Sequence, residues 1–370
     1  MLNKDRILKN FLDMVRIDSP SFKEAAMAEY LKEFATQQRW LVRVDNAGKL
    51  CDGDTGNVIV RIQATGGGEP IAFSAHMDCV PPCLGIKPVV EDDKISSEGE
   101  TVLGGDDKAG IAAILEAALH LKEENIPHPD IYLLFTIAEE SGMHGAKNLS
   151  AADLPVKKVV ISDAGGPIGT TIVKAPAKAG IDVTFHGKPA HAGMEPEKGV
   201  SAIQLAADAI RRMSLLRIDE ETTANLGKIE GGTVTNIVAE TCTLTAEARS
   251  LDDAKLQKQL DHMKQCCDEA AQNIGGSVDF EYTISYPALT VPADSPLLQK
   301  TDECCERLGL KFEAVPCGGG SDANILFGKG YSVVNISNGM EAVHTTKESI
   351  SLQDMYDTAR LVAEMMKSPE

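Results

Sequence analysis

Ile71-Ala72-Phe73-Ser74-Ala75-His76-Met77-Asp78 is a short apolar run that ends in an imidazole and a carboxylate. An uninterrupted apolar run of this length reads as a strand covered on both faces, as in the parallel sheets of α/β proteins. The pattern recurs. Ile131–Ala138 is followed by Glu139-Glu140, and Val159–Ser162 by Asp163. Tyr331–Ile336 is a further buried run, with His344 a few residues beyond it. Gly104-Gly105 precedes Asp106-Asp107, which opens a helical segment over residues 107–122. In that segment Ile111, Ile114, Leu115, Ala118 and Leu119 share one face. In open α/β sheets ligands bind outside the carboxyl ends of the strands. Polar residues far apart in sequence are therefore expected to converge there.

Working outward, residues 4–16 and 22–37 read as helices, with Ser21 and Glu24 at capping-box spacing for the second. Asn57–Gln63 reads as a strand. After about residue 176 the pattern changes. Lys178–Phe185 alternates, with Ile181, Val183 and Phe185 on one side. A helix over 200–216, strands near 224–230 and 236–249, a helix over 252–273 and a strand Val278–Ile284 follow. The order β-α-β-β-α-β is ferredoxin-like. The α/β pattern then resumes, with Pro296 at the first position of a helix that Gly309 stops and a last helix over 351–367. The expected architecture is one α/β domain, residues 1–176 and 287–370, interrupted by a smaller α+β domain over 177–286.

The 370 residues are 43% apolar and 25% charged, the proportions of a globular protein. A net charge of −19 argues against a nucleic-acid partner, because phosphate would be repelled. No run approaches the roughly 18 apolar residues of a membrane span. The start of the chain reads as an amphipathic helix without a secretory apolar core, so a cytoplasmic location is expected. The nine cysteines include the adjacent pairs Cys266–Cys267 and Cys304–Cys305 in helical segments. Such usage suits a reducing compartment. Cys79 and Cys83 lack zinc-ribbon spacing and read as structural.

Two imidazoles and at least three carboxylates at strand ends form a donor set suited to zinc, and large enough for two ions. The doublet Glu139-Glu140 offers one ligand and one base. Each piece alone has a plainer explanation. Asp106 suits a helix N-cap, Asp163 before Gly165-Gly166 suits a turn, and Glu139-Glu140 suits a solvated loop. The joint occurrence at five strand ends favours the metal reading.

Three of these stretches carry a family resemblance: Ser74-Ala75-His76-Met77-Asp78, Gly104-Gly105-Asp106-Asp107-Lys108-Ala109-Gly110 and Ala138-Glu139-Glu140-Ser141-Gly142. With Gly187-Lys188-Pro189-Ala190-His191-Ala192-Gly193 and Gly318-Gly319-Gly320-Ser321-Asp322-Ala323-Asn324, they resemble the di-zinc peptidases related to peptidase T, carboxypeptidase G and succinyl-diaminopimelate desuccinylase. The Asp-Asp-Lys-Ala-Gly form is most similar to the peptidase T, or aminotripeptidase, branch. The resemblance implies a mixed sheet flanked by helices, with the inserted ferredoxin-like domain as a lid and dimerisation element.

It also implies roles. His76 and Asp163 would bind one zinc ion, Glu140 and His344 the other, and Asp106 both; cobalt or manganese would fit the same donors. Asp78 would orient the His76 ring. Glu139 would be the general base acting on a metal-bridged water. Asp107 would face solvent or cap the helix. His191 would hold the oxyanion, often across a homodimer. Asn236 and Arg249, on the strand pair of the inserted domain, would grip a short peptide together with Gly319 and Ser321, the Arg fork suiting a carboxylate. Asp rather than Glu at position 163 is similar to the aminopeptidases, which makes release of the N-terminal residue the leading expectation. An N-acyl amino acid deacylase or carboxypeptidase is the alternative. A catalytically inactive relative is disfavoured, because all five ligands and the base are present. Gly165-Gly166-Pro167-Ile168-Gly169 is not a dinucleotide-binding turn.

Overall fold

The computed structural model describes residues 1–369. They form two compact units. The first comprises Met1–Val173, Thr290–Pro316 and the described residues from Ser321 onward; the second comprises Lys174–Leu289 and Cys317–Gly320.

A nine-stranded mixed sheet organises the first unit. Its centre is a run of four parallel neighbours: Ile131–Thr136, Ile71–His76, Lys158–Gly165 and Ser332–Met340. Every residue of Ile71–His76 and Ile131–Thr136 is buried, which explains why these strands read as continuous apolar runs. Antiparallel strands Val58–Ile62 and Leu41–Val44 extend one side. The helix Gly105–Glu123 lies against the parallel strands and against the helices Lys4–Val15 and Leu352–Met366. It is buried almost all round, not on the single face the periodicity predicts, because it is covered by both sheet and helices. Asn3 and Ser351 cap the two terminal helices through side-chain oxygens.

The Ser21–Glu24 capping box does not form. The second helix starts at Ala25, and both side chains are engaged elsewhere. Ser21 Oγ donates to Asp78 Oδ2 at 2.6 Å, and Glu24 Oε1 accepts the backbone N–H groups of Phe22 and Ala138. A small antiparallel sheet, Ser349–Ser351, Lys94–Ser97 and Pro88–Glu91, completes this unit.

In the second unit the sheet order is Leu216–Arg217, Thr222–Gly231, Thr241–Ser250, Ala177–His186, Ser277–Tyr286, all antiparallel. The four long strands thus take the ferredoxin-like order. Ala202–Arg212 and Asp253–Ile274 pack on the sheet, burying Leu205, Leu260 and Met263 against Ile181, Val183 and Phe185. Ser201 and Asp252 cap them. Asn236 lies in the turn before Thr241–Ser250, not on a strand, which corrects the longer strand read from sequence.

Candidate metal centre and active site

The four parallel strands end on one edge, and the residues beyond them meet there. His76 Nε2 lies 3.1 Å from Asp106 Oδ1 and 3.8 Å from Asp163 Oδ1. The other oxygen of Asp106, Oδ2, lies 3.3 Å from His344 Nε2. That nitrogen is 3.1 Å from each oxygen of Glu140. Asp106 therefore joins two donor sets, His76 with Asp163 and His344 with Glu140. The ligand atoms of His76, Asp106 and Glu140 all lie within 4.8 Å of one another, as do those of His76, Asp107 and Asp163. Two imidazole nitrogens and three carboxylates, one of them facing both histidines, have the donor chemistry of a pair of divalent cations. His76 is buried, whereas the His344 side chain is 54% exposed on a loop with φ of 62°.

The electrostatics agree with this fit. Burial and the repulsion of Asp163 push Glu139 well above the usual carboxylate range. Burial and Asp106 do the same to Asp163, and burial and Asp163 to Asp107. Burial raises Asp106, but hydrogen bonds with His344 and His76 outweigh it and hold this carboxyl low. Burial pulls the His76 imidazole down, yet Asp106 and Asp78 carry it well above its ordinary value. Hydrogen bonds with Asp106 and Glu140 raise His344 to about 10. Carboxylates crowded and buried together are what divalent charge relieves.

Asp78 is fully buried beside the cluster. Its Oδ1 lies 3.4 Å from His76 Nδ1, whose ring nitrogen is also 3.0 Å from the Asp78 carbonyl oxygen. Asp107 corrects its expected place. It does not face solvent, and its carboxylate is engaged by other segments instead of by the first turn of the helix. Its side chain is buried, Oδ2 accepting the backbone N–H of His76 at 3.3 Å and Oδ1 accepting from Asn338 at 2.9 Å. The Asp106–Asp107 peptide bond is cis.

Several supporting residues were not anticipated. Asn335 exchanges hydrogen bonds with the backbone of Asp163, both at 3.0 Å. Asp322 is buried and accepts from Thr136 at 2.6 Å, and burial raises it to about 6. The Glu348 carboxylate lies beneath the Gly104–Asp106 turn. Gly110 offered one signal: a Cβ there would stand 2.4 Å from Ser162 O and 2.5 Å from Asp107 Oδ1. Cys79 and Cys83 are buried free thiols, and Cys79 Sγ accepts from the buried Lys108 at 3.1 Å.

The remaining candidates are described in their own units. His191 and Asn236 are exposed, and their segments pair: Ala192 N–H donates to the Asn236 carbonyl at 3.0 Å, and His191 bridges Ile237. The His191 ring accepts the Gly193 and Met194 N–H groups. Arg249 Nε donates to Glu247 at 2.8 Å. Gly319 is exposed. Ser321 is buried at the start of Asp322–Gly328, where its hydroxyl caps the helix and accepts from Asn335.

The profile of Peptidase family M20/M25/M40 matches residues 72–368. The chain belongs to this family. The uncharacterized protein YqjE of Bacillus subtilis (strain 168) is 40% identical over 367 residues, 99% of each chain. Aminopeptidase PepT from Bacillus cereus ATCC 10987 superposes with a TM-score of 0.93 at 40% identity, covering 99% of this chain and 98% of that one. A tripeptidase from Staphylococcus aureus subsp. aureus Mu50 gives a TM-score of 0.95 at 38% identity, with the same coverage. Among the described residues no helix is long and apolar enough to cross a membrane.

Proposed function

We propose that the chain is a di-zinc aminopeptidase that removes the N-terminal residue from short, unblocked peptides, tripeptides foremost. The observation that carries the two-ion part is Asp106, whose two oxygens face His76 at 3.1 Å and His344 at 3.3 Å. The substrate class draws on the aminopeptidase and tripeptidase named above, which match along nearly the whole chain. Asp at position 163 points the same way.

His76, Asp163, Asp106, Glu140 and His344 are the residues that would hold the pair. When bound, the ions contribute Lewis acidity and bring the pKa of water toward about 7. Asp106 fixes the spacing of the two donor sets. Glu139 is buried, lies three residues beyond the end of the strand Ile131–Thr136 and is spare of the ligand set. It accepts a proton from the attacking water and returns it to the leaving amine. Its ionised form, disfavoured by burial and by Asp163, would be favoured with a divalent pair in place. Asp78 holds the His76 ring so that Nε2 points at the donor set.

We assign Arg249 to the peptide carboxylate, with Asn236 and Gly319 as further substrate contacts, and His191 to the oxyanion, as the motif resemblance implies. Glu247 accepts from Arg249 Nε at 2.8 Å and the Gly318 carbonyl from Nη1 at 3.5 Å, so a bidentate grip on a carboxylate would displace the second, longer contact. The ferredoxin-like unit as lid and dimerisation element, and the cytoplasmic location, belong to the same reading.

The test is hydrolysis of a free tripeptide, its N-acetylated form and an N-acyl amino acid, with zinc and after chelation. Metal-dependent release of the N-terminal residue from the free tripeptide alone is expected. Cleavage of the acylated compounds instead would make the protein a deacylase.

A further inference from the structure

We propose that Glu348 is a positioning residue that locks the turn carrying Asp106 to the loop carrying His344, and so sets the distance between the two metal-binding donor sets. This rests on the dinuclear reading above.

Glu348 is 2% exposed. Its Oε2 accepts the backbone N–H groups of Leu103 at 2.8 Å and Gly104 at 2.9 Å, and its Oε1 accepts that of Asp106 at 2.8 Å. Three amides thus converge on one carboxylate from a turn more than 240 residues away in sequence. Hydrogen bonds to an ionised acceptor are roughly twice as strong as neutral ones. The approach is close: a Cβ on Gly105 would stand 3.1 Å from Glu348 Oε1. Gly104 has a φ of 72°, a left-handed conformation that turns the chain toward the carboxylate.

The other end of the lock is equally constrained. Glu341 and Ser349 exchange backbone hydrogen bonds at 2.9 and 3.1 Å, closing a loop with His344 at its tip. Glu348 sits at the base of that loop, beside the strand Ser349–Ser351, which pairs with Lys94–Ser97. His344 itself is largely exposed, and its imidazole has only Asp106 and Glu140 as ion-pair partners among the described residues. Its reach to Asp106 is therefore governed by how firmly its loop is tied to the Asp106 turn. Glu348 makes that tie four residues downstream, its carboxylate meeting the backbone N–H of Asp106 and not the Asp106 carboxylate.

An amide cannot replace this carboxylate. Glu348→Gln keeps one acceptor oxygen and turns an NH2 group toward at least one backbone N–H. Glu348→Asp keeps the charge but is one methylene short. The experiment is titration of the metal-free full chain with Zn2+ against a chromophoric chelator, for wild type, Glu348→Gln and Glu348→Asp, together with thermal melting of each metal-free protein. We expect wild type to bind two ions. In Glu348→Gln one ion should be held normally and the other should weaken 10–100-fold, the range for residues that orient ligands. Tripeptide kcat should fall with KM little changed, and Glu348→Asp should recover part of the affinity.

Two ions bound by Glu348→Gln as tightly as by wild type would overturn the proposal. So would equal weakening of both ions that tracks a fall in metal-free melting temperature, since that assigns Glu348 to general stability. Failure of wild type to bind two ions would instead strike the dinuclear reading. If Glu348→Gln does not fold, Glu348→Asp carries the same comparison.

Discussion

Asp78 accepts the backbone N–H of Glu139 through Oδ1 at 3.0 Å. Its second oxygen accepts the N–H of Glu140 at 3.2 Å and the hydroxyl of Ser21 at 2.6 Å. The same carboxylate lies 3.4 Å from the ring of His76. One buried side chain thus meets the ring of a candidate metal ligand and holds the turn that presents Glu139 and Glu140.

Asp78→Asn should therefore impair more than one function. The amide leaves an N–H donor facing the backbone N–H of Glu139 or Glu140, and weakens the hold on His76. We expect zinc affinity and kcat/KM each to fall roughly 10–100-fold. Ser21→Ala should cost less, a few-fold, matching the roughly 0.5–1.5 kcal/mol of one hydrogen bond. Steady-state kinetics with parallel metal titration reads both.

Glu24 gives a pH-dependent stability with a definite sign. Burial, then the charge of Asp78, raises its pKa from 4.5 to about 7. Oε2 is buried without a partner, whereas Oε1 accepts two backbone N–H groups. The folded pKa lies above the unfolded one, so the folded chain holds the proton more tightly. The stability from this group is complete below about pH 4.5 and is lost as pH rises through about 7. Glu24→Gln keeps one carbonyl acceptor and removes the buried charge. It should stabilise the protein by about 3 kcal/mol at pH 8, from about 1.4 kcal/mol per pKa unit. The gain should vanish near pH 4.5. Melting temperatures across that range measure it, and a gain independent of pH would contradict the assignment.

Gly110→Ala should be costly despite its modest chemistry. The added methyl would overlap Ser162 O and Asp107 Oδ1. Overpacking of this kind costs about 1–3 kcal/mol. Here it also displaces Asp107, which accepts from the backbone N–H of His76. Urea denaturation should register the destabilisation, and peptidase activity should fall by more than stability alone accounts for.

These residues mark how far the sequence can be read. Ile71–His76 and Ile131–Thr136 were legible because complete burial leaves an unbroken apolar run that polar residues end. Ala177–His186 was legible because one face alternates into a core. The hairpin Pro88–Glu91 and Lys94–Ser97 was not, since it is short and buries only Ile95 fully, and so carries little hydrophobic pattern. Asp106 stood out because it follows Gly104-Gly105 where a helix opens, and His344 because it lies beyond a buried strand. Asp107 was misplaced because a residue at a helix start suits a cap or an exposed first turn, whereas its carboxylate is buried against the His76 backbone and Asn338. Glu348 and Asn338 were invisible for another reason. Their partners on the Asp106–Asp107 turn lie more than 230 residues away, and only the assembled fold brings them together.

The central claim is that Glu139 is the base and not a ligand. The most direct measurement is zinc stoichiometry and tripeptide turnover of Glu139→Gln, made on one preparation. The account predicts two ions per chain, bound as in wild type, with kcat reduced at least about 100-fold, the lower bound for losing a general base. Loss of one ion, or turnover close to wild type with both ions in place, would contradict it.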